Sequence, residues 1–258
     1  MTTTAANVPY RTDEPDLWLR RFGTRSSGGP TLICLPHAGG AATFFRPLVG
    51  LLAAEVDVTC VQYPGRQDRR GEPPVDTIDA LADLLTEVIL PTVRGPVAFF
   101  GHSMGAILGF EVVLRLEQLG VAPLRLFASG RRAPGVSRHE TVHLRDDRGL
   151  LADVAELSGT EDDVFADAEL TAMVLPAIRA DYRAIETYAP RPGVPRLRCP
   201  VTALHGTSDP RVDLADARAW AGHTDGGFRL QPFPGDHFFL LRQWTPVARA
   251  IRTDLRLG

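Results

Sequence analysis

Short continuous apolar runs alternate with longer, amphipathic stretches along most of the 258-residue chain. The runs at 17–22, 31–36, 57–63, 97–101, 124–129, 200–206 and 228–233 have strand length, and most carry few polar residues. That is the pattern of strands covered on both faces. Between them, 42–53, 77–90, 104–119, 214–221 and 238–255 read as helices. Strand–helix alternation predicts a mostly parallel central sheet of about seven strands with helices on both faces. No internal repeat is evident.

One connection breaks the rhythm. Residues 131–198 contain no convincing sheet strand, although Leu170, Val174, Ile178 and Ile185 fall on one helical face with Pro176 expected to kink it. Connections of this length are uncommon unless functional. This one leaves the carboxyl end of a strand, the side on which parallel sheets place their sites. We therefore expect a helical lid inserted at 131–198 into one domain spanning 1–258, rather than a subdomain elsewhere on the surface. The four apolar residues would line a chamber under the lid or pack against the core.

The most specific local pattern is Gly101-His102-Ser103-Met104-Gly105, entered from the apolar strand and leading into the helix at 104–119. Gly-x-Ser-x-Gly at a strand-to-helix turn is the nucleophile elbow of α/β-hydrolases, and the fold expected is the α/β-hydrolase fold. A serine on so sharp a turn sits in a strained backbone conformation. The residues two before and two after it crowd the crossing backbone, and glycine, without a Cβ, relieves that crowding. The start of the helix aims free N–H groups at the same spot.

Serine alone is a poor nucleophile and needs a base, an orienting acid and an oxyanion hole. In this fold class the chain order is serine, acid, histidine. Asp209 lies in the loop leaving the strand at 200–206, and His237 follows the last strand, just before a helix. These are the expected acid and base. Asp213 and Asp236 compete for the acid: Asp213 reads as a helix-starting residue, and Asp236 adjoins the histidine too closely in sequence to hold its Nδ1. His37, His102, His139, His143, His205 and His223 are the other histidines; His102 lies inside the elbow, and His205 is expected to satisfy a local hydrogen bond within its strand. The oxyanion donors expected are the N–H of Met104 and that of Ala38, in the His37-Ala38-Gly39-Gly40 turn after an early strand. A phosphate cradle is disfavoured there, since no Gly-x-Gly-x-x-Gly and no Gly-Lys-Ser/Thr follows.

Composition narrows the classes. A net charge of −3 points to neither nucleic acid nor membrane surface, and no segment reaches the length of a spanning helix. The first 30 residues are polar and lack an apolar stretch of signal-peptide length. Cys34, Cys60 and Cys199 all fall in apolar strand patterns, so buried thiols are expected rather than a disulfide or metal site. The expectation is a cytoplasmic, metal-free monomer with no cofactor. The chain contains no lysine, and its 28 basic residues are all arginine.

Taken together, the segments at 35–40, Tyr63-Pro64-Gly65-Arg66, Gly101–Gly105, Leu126-Phe127-Ala128-Ser129-Gly130-Arg131, 175–188 and 234–240 resemble the type II, or editing, thioesterases of polyketide and nonribosomal peptide synthesis. The Tyr-Pro-Gly-Arg, Phe-Ala-Ser-Gly-Arg and Gly-Asp-His-Phe-Phe segments are more specific to that family than the serine motif. The resemblance implies a triad of Ser103, Asp209 and His237 and oxyanion donors at Ala38 and Met104. It also implies a substrate class, acyl groups on the phosphopantetheine arm of an acyl or peptidyl carrier protein. Carrier proteins are commonly acidic, so Arg66, Arg69, Arg70, Arg131 and Arg132, near strand ends on the same side, are candidates for steering them; a solvated charged surface is the alternative for each. A small-molecule esterase, a cyclising thioesterase and a non-catalytic binding protein on the same fold remain open. Because the chain starts with Met1 and a short polar leader, we expect a free-standing protein rather than a domain cut from a synthase.

Overall fold

A computed structural model describes residues 10–23, 28–136, 138, 140–158 and 167–257. Its centre is a seven-stranded sheet in the order β1-β3-β2-β4-β5-β6-β7. The strands are β1 (Leu19–Arg20), β2 (Thr31–Leu35), β3 (Asp57–Val61), β4 (Val97–His102), β5 (Leu126–Ser129), β6 (Val201–Gly206) and β7 (Phe228–Phe233). Only the β1–β3 pair is antiparallel; every other neighbouring pair is parallel. The expected architecture is present, with β1 much shorter than the apolar run at 17–22, whose first two residues belong to a turn of helix, α1 (Pro15–Trp18).

Strand alternation sorts the core into two layers. Ile33, Leu35, Val97 and Phe99 point to one face and pack with α3 (Ile78–Ile89) and α4 (Met104–Gln118). Leu32, Cys34, Ala98 and Phe100 point to the other, against α2 (Arg46–Leu52) and α8 (Leu240–Leu255). α4 is buried along nearly its whole length, yet carries Glu111 and Glu117 inward. Glu111 accepts the Tyr188 hydroxyl at 2.7 Å and pairs with Arg115. Glu117 takes the N–H groups of Arg198 and Cys199 at 2.8 and 2.9 Å, anchoring the approach to β6.

Between β5 and β6 lie α5 (Asp147–Ser158) and α6 (Ala168–Glu186). α6 continues past Pro176 to Glu186. Val142, Leu150, Ile178 and Tyr182 form a small core of their own, and Ala38 of the post-β2 turn packs against it. Residues 137, 139 (His139) and 159–166 of this stretch lie outside the described residues. A short helix, α7 (Leu214–Arg218), follows β6. No helix among the described residues is long and apolar enough to cross a membrane.

Candidate active site

β4 delivers Ser103 in a backbone conformation few non-glycine residues adopt, φ 54° and ψ −117°. The flanking glycines are sterically required. A Cβ on Gly101 would lie 2.0 Å from the Gly105 carbonyl oxygen, and one on Gly105 would lie 2.1 Å from the Leu35 carbonyl oxygen of β2. Both obstacles are backbone. We expect Gly105→Ala to cost at least about 3 kcal/mol and to lower Tm by roughly 6–12 °C. Gly109→Ala, in the same helix but facing the mobile end of Leu126 at 3.1 Å, should be close to neutral. Equal melting temperatures for the two variants would contradict this account of the elbow.

His237 sits in the loop after β7, and Asp209 in the loop after β6. The loops are stitched together: Thr207 N–H donates to Phe233 O and Ser208 N–H to Gly235 O, both at 2.9 Å. His237 Nε2 is 3.0 Å from Ser103 Oγ, and its Nδ1 is 2.9 Å from Asp209 Oδ2. The Asp209 side chain has no solvent exposure. Its Oδ1 accepts the Arg211 N–H at 2.8 Å, so both carboxylate oxygens are held. A carboxylate can only accept, which places the proton on Nδ1 and leaves Nε2 to accept the serine hydroxyl.

The rival groups are occupied elsewhere. Asp236 is exposed and its Oδ1 accepts the Phe238 N–H at 2.9 Å. Asp213 is the N-cap of α7, in a reciprocal capping box with Asp216. His143 pairs through Nδ1 with Glu186. His205 is buried in β6, but its Nδ1 has no partner among the described residues, contrary to the expected local hydrogen bond. His102 donates or accepts through Nδ1 to Ser129 Oγ at 3.0 Å and packs its ring 5.4 Å from that of His237. His37 stacks edge-on against Phe44 and Phe238 beside it. Burial, reinforced by the nearby imidazole of His237, pushes His37 down to about 3 and His102 well below the usual histidine range. Both rings are therefore neutral at neutral pH, and neither sets a positive charge beside His237.

Ala38 stands in a tight turn closed by Gly40 N–H to His37 O at 2.9 Å, with Gly39 at φ +74°. Met104 is the first residue of α4, where N–H groups have no partner within the helix. Among the described residues the Ala38 N–H has no hydrogen-bond partner. The turn is gripped from α6: Asp181 Oδ2 accepts the Gly39 N–H at 2.7 Å and Arg66 Nη1 at 2.7 Å, while Oδ1 accepts Arg66 Nη2 at 2.9 Å. Arg66 also donates to the Gly40 carbonyl at 3.1 Å. Asp181 is 1% exposed and Arg66 7%.

Ser103, His237 and Ala38 border a cavity of about 430 Å³, walled on its apolar side by Val154 and Leu157 of α5 and by Val174, Ile178 and Ile185 of α6. Leu170 does not reach it; it is 54% exposed, because the face of α6 it shares turns to solvent at the helix's amino end. Val174 borders the cavity while 41% exposed, and Ile178 and Ile185 are buried.

Most of the arginine set is not a docking surface. Arg66 is consumed by Asp181. Arg69 is 2% exposed, lies 4.0 Å over the Trp18 ring and pairs with Glu72. Arg132, 4% exposed, pairs with Glu140. Arg131 lines the cavity. Only Arg70 is exposed. Sequence reasoning missed Asp181, whose one signal was an aspartate on the otherwise inward face of α6.

The Thioesterase domain family matches residues 30–255. The probable cadicidin biosynthesis thioesterase of Streptomyces griseus is 48% identical over 241 residues, covering 92% of this chain and 66% of its own length. Thioesterase PikA5 of Streptomyces venezuelae is 44% identical over 241 residues, covering 93% of this chain and 85% of its own. Among solved structures, the type II thioesterase BorB from the borrelidin biosynthetic cluster superposes with a TM-score of 0.88 at 50% identity, over 93% of this chain and 98% of that one.

Proposed function

The chain belongs to the thioesterase-domain family, and from that premise we propose that it hydrolyses acyl thioesters on the phosphopantetheine arm of acyl or peptidyl carrier proteins. In that role it removes stalled or aberrant chains from a polyketide or nonribosomal peptide assembly line. The observation that carries this reading is the Ser103–His237–Asp209 hydrogen-bond chain at the wall of an acyl-sized, largely apolar cavity.

His237 Nε2 takes the Ser103 proton as Oγ attacks the thioester carbonyl, and Asp209 stabilises the imidazolium through Nδ1–H. The N–H groups of Ala38 and Met104 hold the oxyanion. The C–S bond breaks, the pantetheine thiol leaves with the proton from His237, and the acyl group stays on Ser103. Water then gives its proton to His237, its oxygen attacks the ester, and the acid departs as Ser103 recovers its proton. Residues 131–198 act as a lid, with α5 and α6 as the outer wall of the acyl chamber. Of the arginines considered for carrier steering, Arg70 is the one a docked acidic carrier would meet. Three buried free thiols fit a reducing compartment, and we place the enzyme in the cytoplasm.

Steady-state hydrolysis of one acyl group presented three ways tests the reading. Turnover should be fastest on the carrier thioester, slower on the N-acetylcysteamine thioester and slowest on the matching ethyl ester. Faster cleavage of the ethyl ester than of either thioester would make the protein an esterase.

A further inference from the structure

Arg131 follows Gly130 at the carboxyl end of β5, and its backbone is fixed where its carbonyl accepts the Trp220 indole N–H at 2.8 Å. Its side chain lines the main cavity and also a second one of about 140 Å³ next to it. A guanidinium carries five N–H donors, and when enclosed it is ordinarily spent on an ion pair. Here it is not. Its Nε is enclosed without a partner, and among the described residues its guanidinium makes no hydrogen bond or ion pair.

The neighbouring carboxylates are already taken. Glu140 pairs with Arg132 and, at 3.3 Å, with Arg211. Glu186 accepts the N–H groups of Val142 and His143 at 2.9 Å and the His143 ring. Burial and the adjacent Arg132 push Arg131 down to about 10, which still leaves it protonated at neutral pH. The free donors therefore face whatever fills the cavity.

We propose that Arg131 is a specificity-determining residue that hydrogen-bonds a neutral oxygen, a hydroxyl or an oxo group, on the acyl chain beyond the thioester. The proposal rests on the thioesterase reading. Much of the chamber wall is apolar, which suits the chain's hydrocarbon body, and of its two guanidiniums Arg211 is spent on Asp153 and Glu140, which leaves Arg131 to select among chains. The ligand is a neutral oxygen rather than a carboxylate because the charges on the wall already balance, Arg131 and Arg211 against Glu140 and Glu186, so the cavity offers an anion no net positive charge.

The test compares kcat/KM for the N-acetylcysteamine thioesters of hexanoate, 3-hydroxyhexanoate, 4-oxohexanoate and succinate, in the unaltered protein and in Arg131→Met. At least one of the two neutral oxygenated chains should exceed hexanoate by about ten-fold or more, the size of one hydrogen bond to a charged group. That ratio should fall by about ten-fold or more in the variant. Intrinsic thioester reactivity cancels in the comparison between the two proteins, and an unchanged melting temperature establishes that the variant folds. The proposal is overturned if hexanoate matches both oxygenated chains in the unaltered protein, a result that needs no variant. It is overturned equally if the preference survives Arg131→Met, or if succinate is the preferred chain. Failure to cleave any of the four thioesters would instead sink the thioesterase reading itself.

Discussion

Ser103→Ala protein should fold as the parent does and hydrolyse acyl thioesters on the order of 10⁴- to 10⁶-fold more slowly. The substitution removes the hydroxyl 3.0 Å from His237 Nε2 and leaves the imidazole, its aspartate and the cavity wall in place. Alanine meets the same backbone restriction as serine at φ 54°, so the elbow's strain is unchanged. The melting temperature should stay within a few degrees, since only one partly buried hydrogen bond is lost. A fluorophosphonate probe should label the parent and not the variant. Near-parental turnover by a folded Ser103→Ala protein would remove Ser103 from the mechanism.

Asp209→Asn and Asp236→Asn should differ by about four orders of magnitude in turnover, by analogy with loss of the orienting aspartate in serine proteases. At 209, an amide presents both a donor and an acceptor to His237 Nδ1. The donor face stabilises the tautomer whose proton sits on Nε2, and that nitrogen then cannot accept from Ser103. The enclosure of the Asp209 side chain prevents water from taking over the carboxylate's role. Asp236 is exposed and holds only a local N–H, which the asparagine oxygen also accepts. Its substitution should leave turnover near parental. A thioester expels its leaving group more readily than an amide, so the loss at 209 can fall short of the protease value. A larger loss at 236 than at 209 would reassign the acid.

The sheet was legible because parallel strands covered on both faces are built mainly from apolar residues, and β2 and β4 are apolar but for Thr31 and His102. The juxtaposition of Ser103, Asp209 and His237 was legible for a related reason: glycine spacing, strand ends and chain order all constrain backbone. Long charged side chains obey no such periodicity. Around Arg66 and Arg69 the local sequence reads as a polar loop, but the partners that bury them, Asp181 and the Trp18 ring, lie 115 and 51 positions away. Glu111 and Glu117 stand inside an apolar helix, where a carboxylate demands a buried partner, but nothing local in the sequence says that the partners are Tyr188 and the backbone at 198–199. Leu170 shares an apolar stripe with Ile178, and only the packing of α6 determines how far along the helix that stripe stays covered.

The grip of Asp181 on both Arg66 and Gly39 makes α6 and the post-β2 turn a single thermodynamic unit. Were α6 to swing outward with Asp181, it would strand a guanidinium in the interior and release the Gly39 N–H at once. Breaking a buried pair by withdrawing one partner costs about 3–5 kcal/mol, so a displaced α6 would be populated below about one molecule in a hundred. By reciprocity, whatever favours the closed helix also favours the ordered turn, and a negative charge forming against the Ala38 N–H would tighten the hold on α6 by the same free energy. On the mechanism proposed above, oxyanion stabilisation and enclosure of the acyl chain would then be two readouts of one equilibrium.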